Sequence, residues 1–140
     1  MSSSPAPGPG KPVAKKGDSV LGVDTHIVMM PSPAGPVPTP MMMPFSGKLA
    51  DSLSPDVKVD NQPIALVGSV ANNDPSHVPA GGPFQSPPAN KATVQTGSAS
   101  VFVNNKKVAL LGSTAKTCND PADAPNGTVL ATTTTVLIGG

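Results

Sequence analysis

One fifteen-residue stretch of this chain is repeated with few changes 44 residues further on. VKVDNQPIALVGSVA (57–71) and VFVNNKKVALLGSTA (101–115) are identical at eight of their fifteen positions. A shorter echo, TTVLIGG, occupies 134–140. Similarity at a spacing of a few tens of residues is typical of folds assembled from small repeated units. The repeat therefore predicts a domain built from similar small pieces.

Each repeat predicts a short strand, a tight turn and a returning strand. In the first copy, 57–59 alternates with a period of two, Asp60 and Asn61 occupy the turn, and 64–67 returns. In the second copy, Asn104-Asn105 stands at the turn. Asp and Asn are the residues other than glycine that best tolerate the positive φ of a two-residue hairpin turn. The threonines at 132–135 suit a further strand better than a helix.

The fold class predicted from these patterns is all-β, because no stretch has the apolar period of a helix. Three similar hairpin units can bury their apolar faces around a common axis, which gives a three-sided, narrowing body. An ordinary small barrel or sandwich is the alternative. We place the domain at 18–140 and a flexible Ser/Pro/Gly/Lys arm at 1–17. Residues 31–45 contain six prolines, so we expect this segment to be extended, polyproline-like and outside any central sheet position.

The composition excludes several classes of function. Charged residues make up 12% of the chain and the net charge is +1, so no basic surface is available for nucleic acid. The single cysteine allows no intramolecular disulfide. Residues 1–19 lack the apolar core of a signal peptide, and no apolar run reaches membrane-helix length. We expect a soluble protein that is made in the cytoplasm.

Few residues could carry chemistry. The candidates are His26, His77 and Cys118, since imidazole and thiolate are preferred zinc ligands. Judged on the residues alone, hydrogen-bonded histidines in the core are the alternative. The many methionines could indicate copper, but methionine also fills irregular core gaps, which we favour. Cys118 and His77 have no third orienting group marked by a motif, so we predict that the protein is not an enzyme.

Several short motifs occur in an order that resembles a known family. They are GPVPTPMMMPFSGKL (35–49), the two repeats, GSAS (97–100), CNDP (118–121) and the terminal TVLIGG. Together they resemble PAAR-repeat proteins and, more narrowly, the PAAR-like tip proteins of phage-tail-like contractile injection systems, which include type VI secretion. The resemblance covers residues 17–140.

The resemblance implies a small cone of short strands with a pseudo-three-fold base. Such a cone caps and sharpens a homotrimeric spike of the VgrG type, with one cone per trimer, and it catalyses no reaction. Strand edges at the base would extend the sheets of the spike. The resemblance also implies assembly in the cytoplasm, delivery to the outside at the tip of the apparatus, transient contact with a target membrane and, as a further partner, effector cargo.

The resemblance implies a structural zinc ion, or another transition metal such as iron, held by three histidines and one cysteine. His26, His77 and Cys118 match three of these ligands, whereas Met43 stands where the related phrase carries a histidine. Several possibilities are open: three ligands plus water, a Met43 thioether, an acid such as Asp74 or Asp120, or loss of the site.

Two other functions are compatible with the sequence. One is a free-standing metal-binding β domain, and the other is a proline-rich adaptor whose extended segments recruit partners. A spike tip should bind as one copy per trimer and should have an apolar base, whereas an adaptor should be cut quickly by proteases.

Overall fold

The computed structural model describes residues 10–132 and 136–139, which form strands and no helix. The strands are β1 (Lys11–Pro12), β2 (Ser19–Met30), β3 (Val37–Asp51), β4 (Lys58–Val59), β5 (Gln62–Pro63), β6 (Val70–Asn73), β7 (Lys91–Val94), β8 (Phe102–Val103), β9 (Lys106–Lys107), β10 (Thr114–Thr117), β11 (Ala124–Leu130) and β12 (Leu137–Ile138). The prediction of a small all-β domain is confirmed. The described part of the chain includes no helix long and apolar enough to cross a membrane.

Six strands close into an antiparallel barrel in the order β10-β11-β2-β3-β6-β7. Each of the pairs β2–β3, β6–β7 and β10–β11 is consecutive in the chain, so three strand pairs supply the whole barrel. The other six strands form separate two-stranded ladders, β1–β12, β4–β5 and β8–β9. The architecture thus consists of three barrel pairs and three small ladders.

The hairpins predicted over the two repeats are present as β4–β5 and β8–β9, but the returning strand of the first is Gln62–Pro63 and not 64–67, because it follows the two-residue turn directly. Their turn residues are Asp60 and Asn61 in the first hairpin and Asn104 and Asn105 in the second, with φ of 52°, 63°, 54° and 65°. A two-residue loop with positive φ at both positions has the twist that fits two antiparallel strands. The choice of Asp and Asn at these positions therefore explains both turns.

The two repeats and the segment that contains Ala14 meet at a closed ring of three backbone hydrogen bonds. The amide of Ala14 donates to the carbonyl of Ala109 (2.9 Å), that of Ala109 to Ala65 (2.9 Å), and that of Ala65 to Ala14 (2.8 Å). All three alanines are fully buried. Only a small side chain fits where three backbones approach one another this closely.

Residues 10–17 differ from the flexible arm expected over 1–17. Lys11–Pro12 pairs with Leu137–Ile138, and Val13 and Ala14 belong to the buried core. The third ladder therefore takes one strand from each end of the described chain, and the surrounding Ser, Pro, Gly and Lys residues concealed this role in the sequence. Residues 1–9, 133–135 and 140 lie outside the described residues. Three predictions fall partly on them: the flexible arm, the strand at 132–135 and the echo at 134–140.

The strand pair β2–β3 continues well beyond the barrel. All twelve residues of β2 pair with β3, but β11 pairs only with Ser19–Leu21 of β2. At the other side, β6 pairs with β3 only over 47–51. The proline-rich segment expected to be polyproline-like is thus largely a regular β-strand, although over 37–46 β2 is its only strand partner among the described residues.

The core has two parts. The barrel interior is filled by small and branched side chains around Phe45 and Leu49. A second cluster, beside the two-stranded ladders, consists of Val13, Ile64, Leu66, Val108 and Leu110. The sequence has no Trp or Tyr, and a barrel of six strands has room for few side chains as large as Phe45.

Candidate metal centre

Three separate elements deliver four polar side chains to the end of the barrel interior. Asp24 and His26 lie two residues apart on β2, so both side chains point to the same face. His77 lies in the loop after β6, and Cys118 directly follows the last residue of β10. Because β6 and β10 are neighbours of β7 in the barrel, their ends bring this loop and this cysteine towards β2.

The four side chains form a compact group. One potential ligand atom from each of Asp24, His26, His77 and Cys118 lies within 4.8 Å of those of the other three. Asp24 Oδ2 lies 2.8 Å from His77 Nε2, and the thiol of Cys118 donates to the same oxygen over 3.3 Å. The His26 and His77 rings are 4.9 Å apart between centroids. This spacing is close to that required for one shared cation.

Three buried polar atoms in this group have no hydrogen-bond partner among the described residues. They are Asp24 Oδ1 and both ring nitrogens of His26. The Asp120 carboxylate lies 3.5 Å from His26 Nδ1, but no hydrogen bond forms. Leaving a buried polar atom unpaired destabilises the fold by about 1–3 kcal/mol, so such atoms normally have a partner. A metal ion would be a partner for one ring nitrogen of His26 and for the Asp24 carboxylate.

The thiol of Cys118 is held in its neutral form when no metal is present. Burial, and then the neighbouring charge of Asp24, raise its pKa from 9.0 to about 11. A thiol binds zinc or iron as the thiolate, so metal binding must displace this proton.

Hydrogen bonds from backbone amides to side-chain oxygens hold the segments that carry the four side chains. Asn119 Oδ1 accepts from the amide of Thr25 (2.7 Å) and Asp120 Oδ2 accepts from that of Ile27 (2.9 Å). These two amides flank His26, so the CNDP segment clamps the strand that carries it. On the other side, Asn90 Oδ1 accepts from the amide of His77 (2.8 Å). The ligand-bearing segments are therefore tied to one another before any ion binds.

Apolar rings and a surface depression complete the environment. Phe84 lies edge-on to His26 and Phe45 to His77, with centroids 5.9 and 6.3 Å apart. A cavity of about 240 Å³, lined in part by Met43, His77 and Val78, opens to the outside beside His77. It offers an entry route for an ion into an otherwise buried site.

The structure brings together three of the four ligand candidates named from the sequence, namely His26, His77 and Cys118. Met43 is buried and lies directly across the β2–β3 ladder from Asp24, next to the cluster. Asp24 was missed. Its signal was available, because an Asp-x-His sequence within a predicted strand places both side chains on one face. Asp74 is exposed, and Asp120 supports β2 without belonging to the four-residue group.

The donor set fits a transition metal. Two imidazoles, one thiolate and one carboxylate fill a tetrahedron, as in closed structural zinc sites, and iron accepts the same donors. No protein-family model matches the chain, and neither a curated protein nor a solved structure is significantly similar to it. The fold and the site thus define a small all-β domain with a buried cluster that could hold a metal ion.

Proposed function

We propose that this protein is a PAAR-like spike tip, a cone that caps and sharpens a homotrimeric VgrG-type spike in a contractile injection apparatus. It acts mechanically and catalyses no reaction. It is made in the cytoplasm, joins the apparatus there, and leaves the cell on the tip when the sheath contracts. Effector cargo is a further partner on this proposal.

The ring of Ala14, Ala65 and Ala109 is the observation that supports this proposal most. A ring in which each residue donates to the next is the arrangement that a pseudo-three-fold axis would produce. A single chain with pseudo-three-fold symmetry can present a similar surface to each subunit of a trimer. This is the property that a one-chain cap requires.

The segments that follow the three alanines contain the same local hydrogen bond. In each segment a side-chain oxygen accepts from the backbone amide three residues earlier over 2.9 Å. The acceptors are Asp18, Ser69 and Ser113, and the donors are Lys15, Leu66 and Leu110. The residue before each acceptor is a glycine with positive φ, namely Gly17 (90°), Gly68 (100°) and Gly112 (87°). The same glycine and the same side-chain acceptor thus recur in 13–18, 64–69 and 108–113, which supports a pseudo-three-fold relationship. VAKKGD is identical to IALVGS at two positions and to VALLGS at three.

The three small ladders offer a surface for the spike. Phe102, Leu137 and Lys58 are the first residues of β8, β12 and β4, and each pairs with the second residue of the partner strand. The side chains of Phe102 and Leu137 are more than half exposed. A mostly apolar set of exposed side chains around a pseudo-three-fold axis suits a protein interface. The outer edges of β1, β5 and β9 already accept from the amides of Leu111, Lys16 and Val67, so strands of the spike would add to the outer edges of β4, β8 and β12.

Zinc is the metal we propose for the cluster, with iron as the alternative. Asp24, His26, His77 and Cys118 would hold it, and a closed site of this kind supplies folding energy. The ion would tie β2 to the loop after β6 and to the segment after β10. A tip that has to survive force gains from such a cross-link, because Phe45 is the one phenylalanine fully buried in the described core.

The cap role is tested by co-purification with the trimeric spike protein of the same source. Phe102→Asp and Leu137→Asp place charges on the proposed base and should abolish co-purification. Met42→Asp is the matched control, since Met42 is an exposed apolar residue far from the ladders and should leave co-purification unchanged. Equal retention of all three variants would contradict the assignment of the base.

A free-standing metal-binding β domain is the second candidate, and the four-residue cluster favours it. That function requires metal but no trimeric partner, so the same co-purification distinguishes the two. The adaptor interpretation has less support, because residues 37–45, which are most of the proline-rich segment, pair with β2.

A further inference from the structure

The part of the β2–β3 hairpin beyond the barrel has one apolar face that no other described element covers. Side chains alternate along both strands, and the inward positions include Asp24, His26 and Met43. We call the opposite face the hairpin flank; its members include Val23, Thr25, Ile27, Pro40, Met42 and Pro44. Val23 is 51% exposed and Met42 is 73% exposed. Large apolar side chains are thus presented to solvent on both strands, with Thr25 as the polar residue between Val23 and Ile27.

Most of the flank belongs to a segment without charge. The 21 residues of 27–47 contain no Asp, Glu, Lys or Arg. The barrel wall differs, because Lys48, Lys91 and Lys116 lie exposed on its strands. The hairpin therefore complements neither an acidic nor a basic partner, and its surface matches an uncharged, apolar environment.

The free edge of the hairpin lacks most of its hydrogen-bond donors. On β3, the even-numbered residues direct their backbone groups away from β2, as the amide of Ser46 shows by donating to Asn73 Oδ1. Pro38, Pro40 and Pro44 occupy three of these positions. Proline has no amide hydrogen, so this edge cannot accept an added strand in regular register.

The opposite edge of the hairpin is satisfied within the protein. The amides of Thr25, Ile27 and Met29 donate to Asn119, Asp120 and Pro83. An unpaired amide is costly in hydrocarbon, where no water can serve as acceptor. The hairpin thus combines an apolar outer face, no charged side chain on that face and few free donors, and each of these properties suits contact with lipid.

We propose that the hairpin flank inserts into the interfacial region of a lipid bilayer and binds zwitterionic lipid by apolar contact. The role of this contact in piercing rests on the proposed spike-tip function. The binding itself requires neither the ladders nor a spike. A protein partner that docks by strand addition is disfavoured by the three prolines.

The test is flotation of the full-length protein with vesicles of pure phosphatidylcholine at low and at high salt. The wild type should float with them equally at both salt levels. The double variant Val23→Asp/Met42→Asp should lose binding about tenfold or more, since charges are strongly disfavoured in an apolar layer. Phe102→Asp, which adds the same charge at a similarly exposed apolar residue, should bind as the wild type does.

A fluorescence measurement supplies a second readout that does not depend on a disruptive variant. The chain has no tryptophan, so Met42→Trp carries a single reporter. Its emission should shift to the blue on addition of phosphatidylcholine vesicles, whereas that of Phe102→Trp should not.

Four results would overturn the proposal. They are no flotation with neutral vesicles, binding that requires anionic lipid and disappears at high salt, undiminished binding by the double variant, and a wild-type dimer that the double variant abolishes. The second would assign binding to the exposed lysines, and the last would make the flank an interface between two copies. No spike protein is present, so failure here leaves the cap role untouched, and failure of the cap role leaves this result standing.

Discussion

Asp24 and His77 are 53 residues apart in the sequence, yet Oδ2 of the first lies 2.8 Å from Nε2 of the second. This contact joins the long hairpin to the loop after β6. The same oxygen accepts from Cys118, so one carboxylate connects all three segments that meet at the end of the barrel. We therefore expect Asp24 to contribute most to metal binding at the proposed site.

Replacing Asp24 by Asn should lower the affinity for Zn²⁺ by about tenfold or more, because a neutral amide is a much weaker zinc ligand than a carboxylate. Competition with a chromophoric chelator measures the affinity. Asp74→Asn is the matched control, as Asp74 is an exposed acid of the loop that also carries His77. Equal affinity of the two variants would show that Asp24 is not a ligand.

The thiol of Cys118 should react slowly in the metal-free protein. Its pKa of about 11 leaves much less thiolate near neutral pH than an ordinary cysteine has. The alkylation rate should rise with pH towards about 11 in the folded protein, and denaturant should shift this rise back towards 9. A folded-state rate that levels off near pH 9 would contradict the burial of this group.

The same shift makes the metal-free fold sensitive to alkali. A thiol whose pKa is raised on folding holds its proton more tightly in the folded state, so its stabilising contribution is complete below pH 9 and is lost as the pH rises towards 11. The urea midpoint of metal-free wild type should therefore fall over this range. Cys118→Ala, which has no thiol to titrate, should show a smaller fall.

Gly112→Ala should destabilise the fold by about 1–2 kcal/mol, because Gly112 has a φ of 87° and an L-residue is strained there. A Cβ at this position would meet no atom within 4 Å, so the effect is purely conformational. Gly112→Asn should cost less, since Asn tolerates left-handed backbone better. Urea denaturation measures both, and equal stabilities of Gly112→Ala and wild type would refute the argument.

Circular permutation tests the equivalence of the three ladders. Gly10 and Gly139 flank β1 and β12 at the position that Asn61 and Asp60 occupy in the β4–β5 hairpin. Joining the ends of the chain and opening it between Asn104 and Asn105 should therefore give a protein that folds and binds metal. Loss of cooperative thermal unfolding in the permutant would contradict the proposed pseudo-three-fold construction.

The sequence predicted the fold where local chemistry decides it. Asp60-Asn61 and Asn104-Asn105 identify two hairpins, because few other residues accept positive φ. The third ladder was not predictable in the same way. The echo predicts a strand at 136–138 with half of a turn at Gly139, but its partner Lys11–Pro12 comes from a distant part of the sequence and lies within the expected flexible arm.

The site was predictable in composition but not in full. His26, His77 and Cys118 could be named because these residue types are rare in the chain and suit a metal. Asp24 has no such rarity, and only its position two residues before His26 on a strand marks it. The prolines at 38, 40 and 44 were misleading, since they remove amides only from the edge that β2 does not use.

Native mass spectrometry of the protein co-produced with its trimeric spike protein tests the central claim most directly. The account predicts a complex of one chain with three spike subunits, and one metal ion on the chain that Cys118→Ser removes. A chain that stays free of the trimer while still carrying the metal ion would contradict the spike-tip function and would favour a free-standing metal-binding domain.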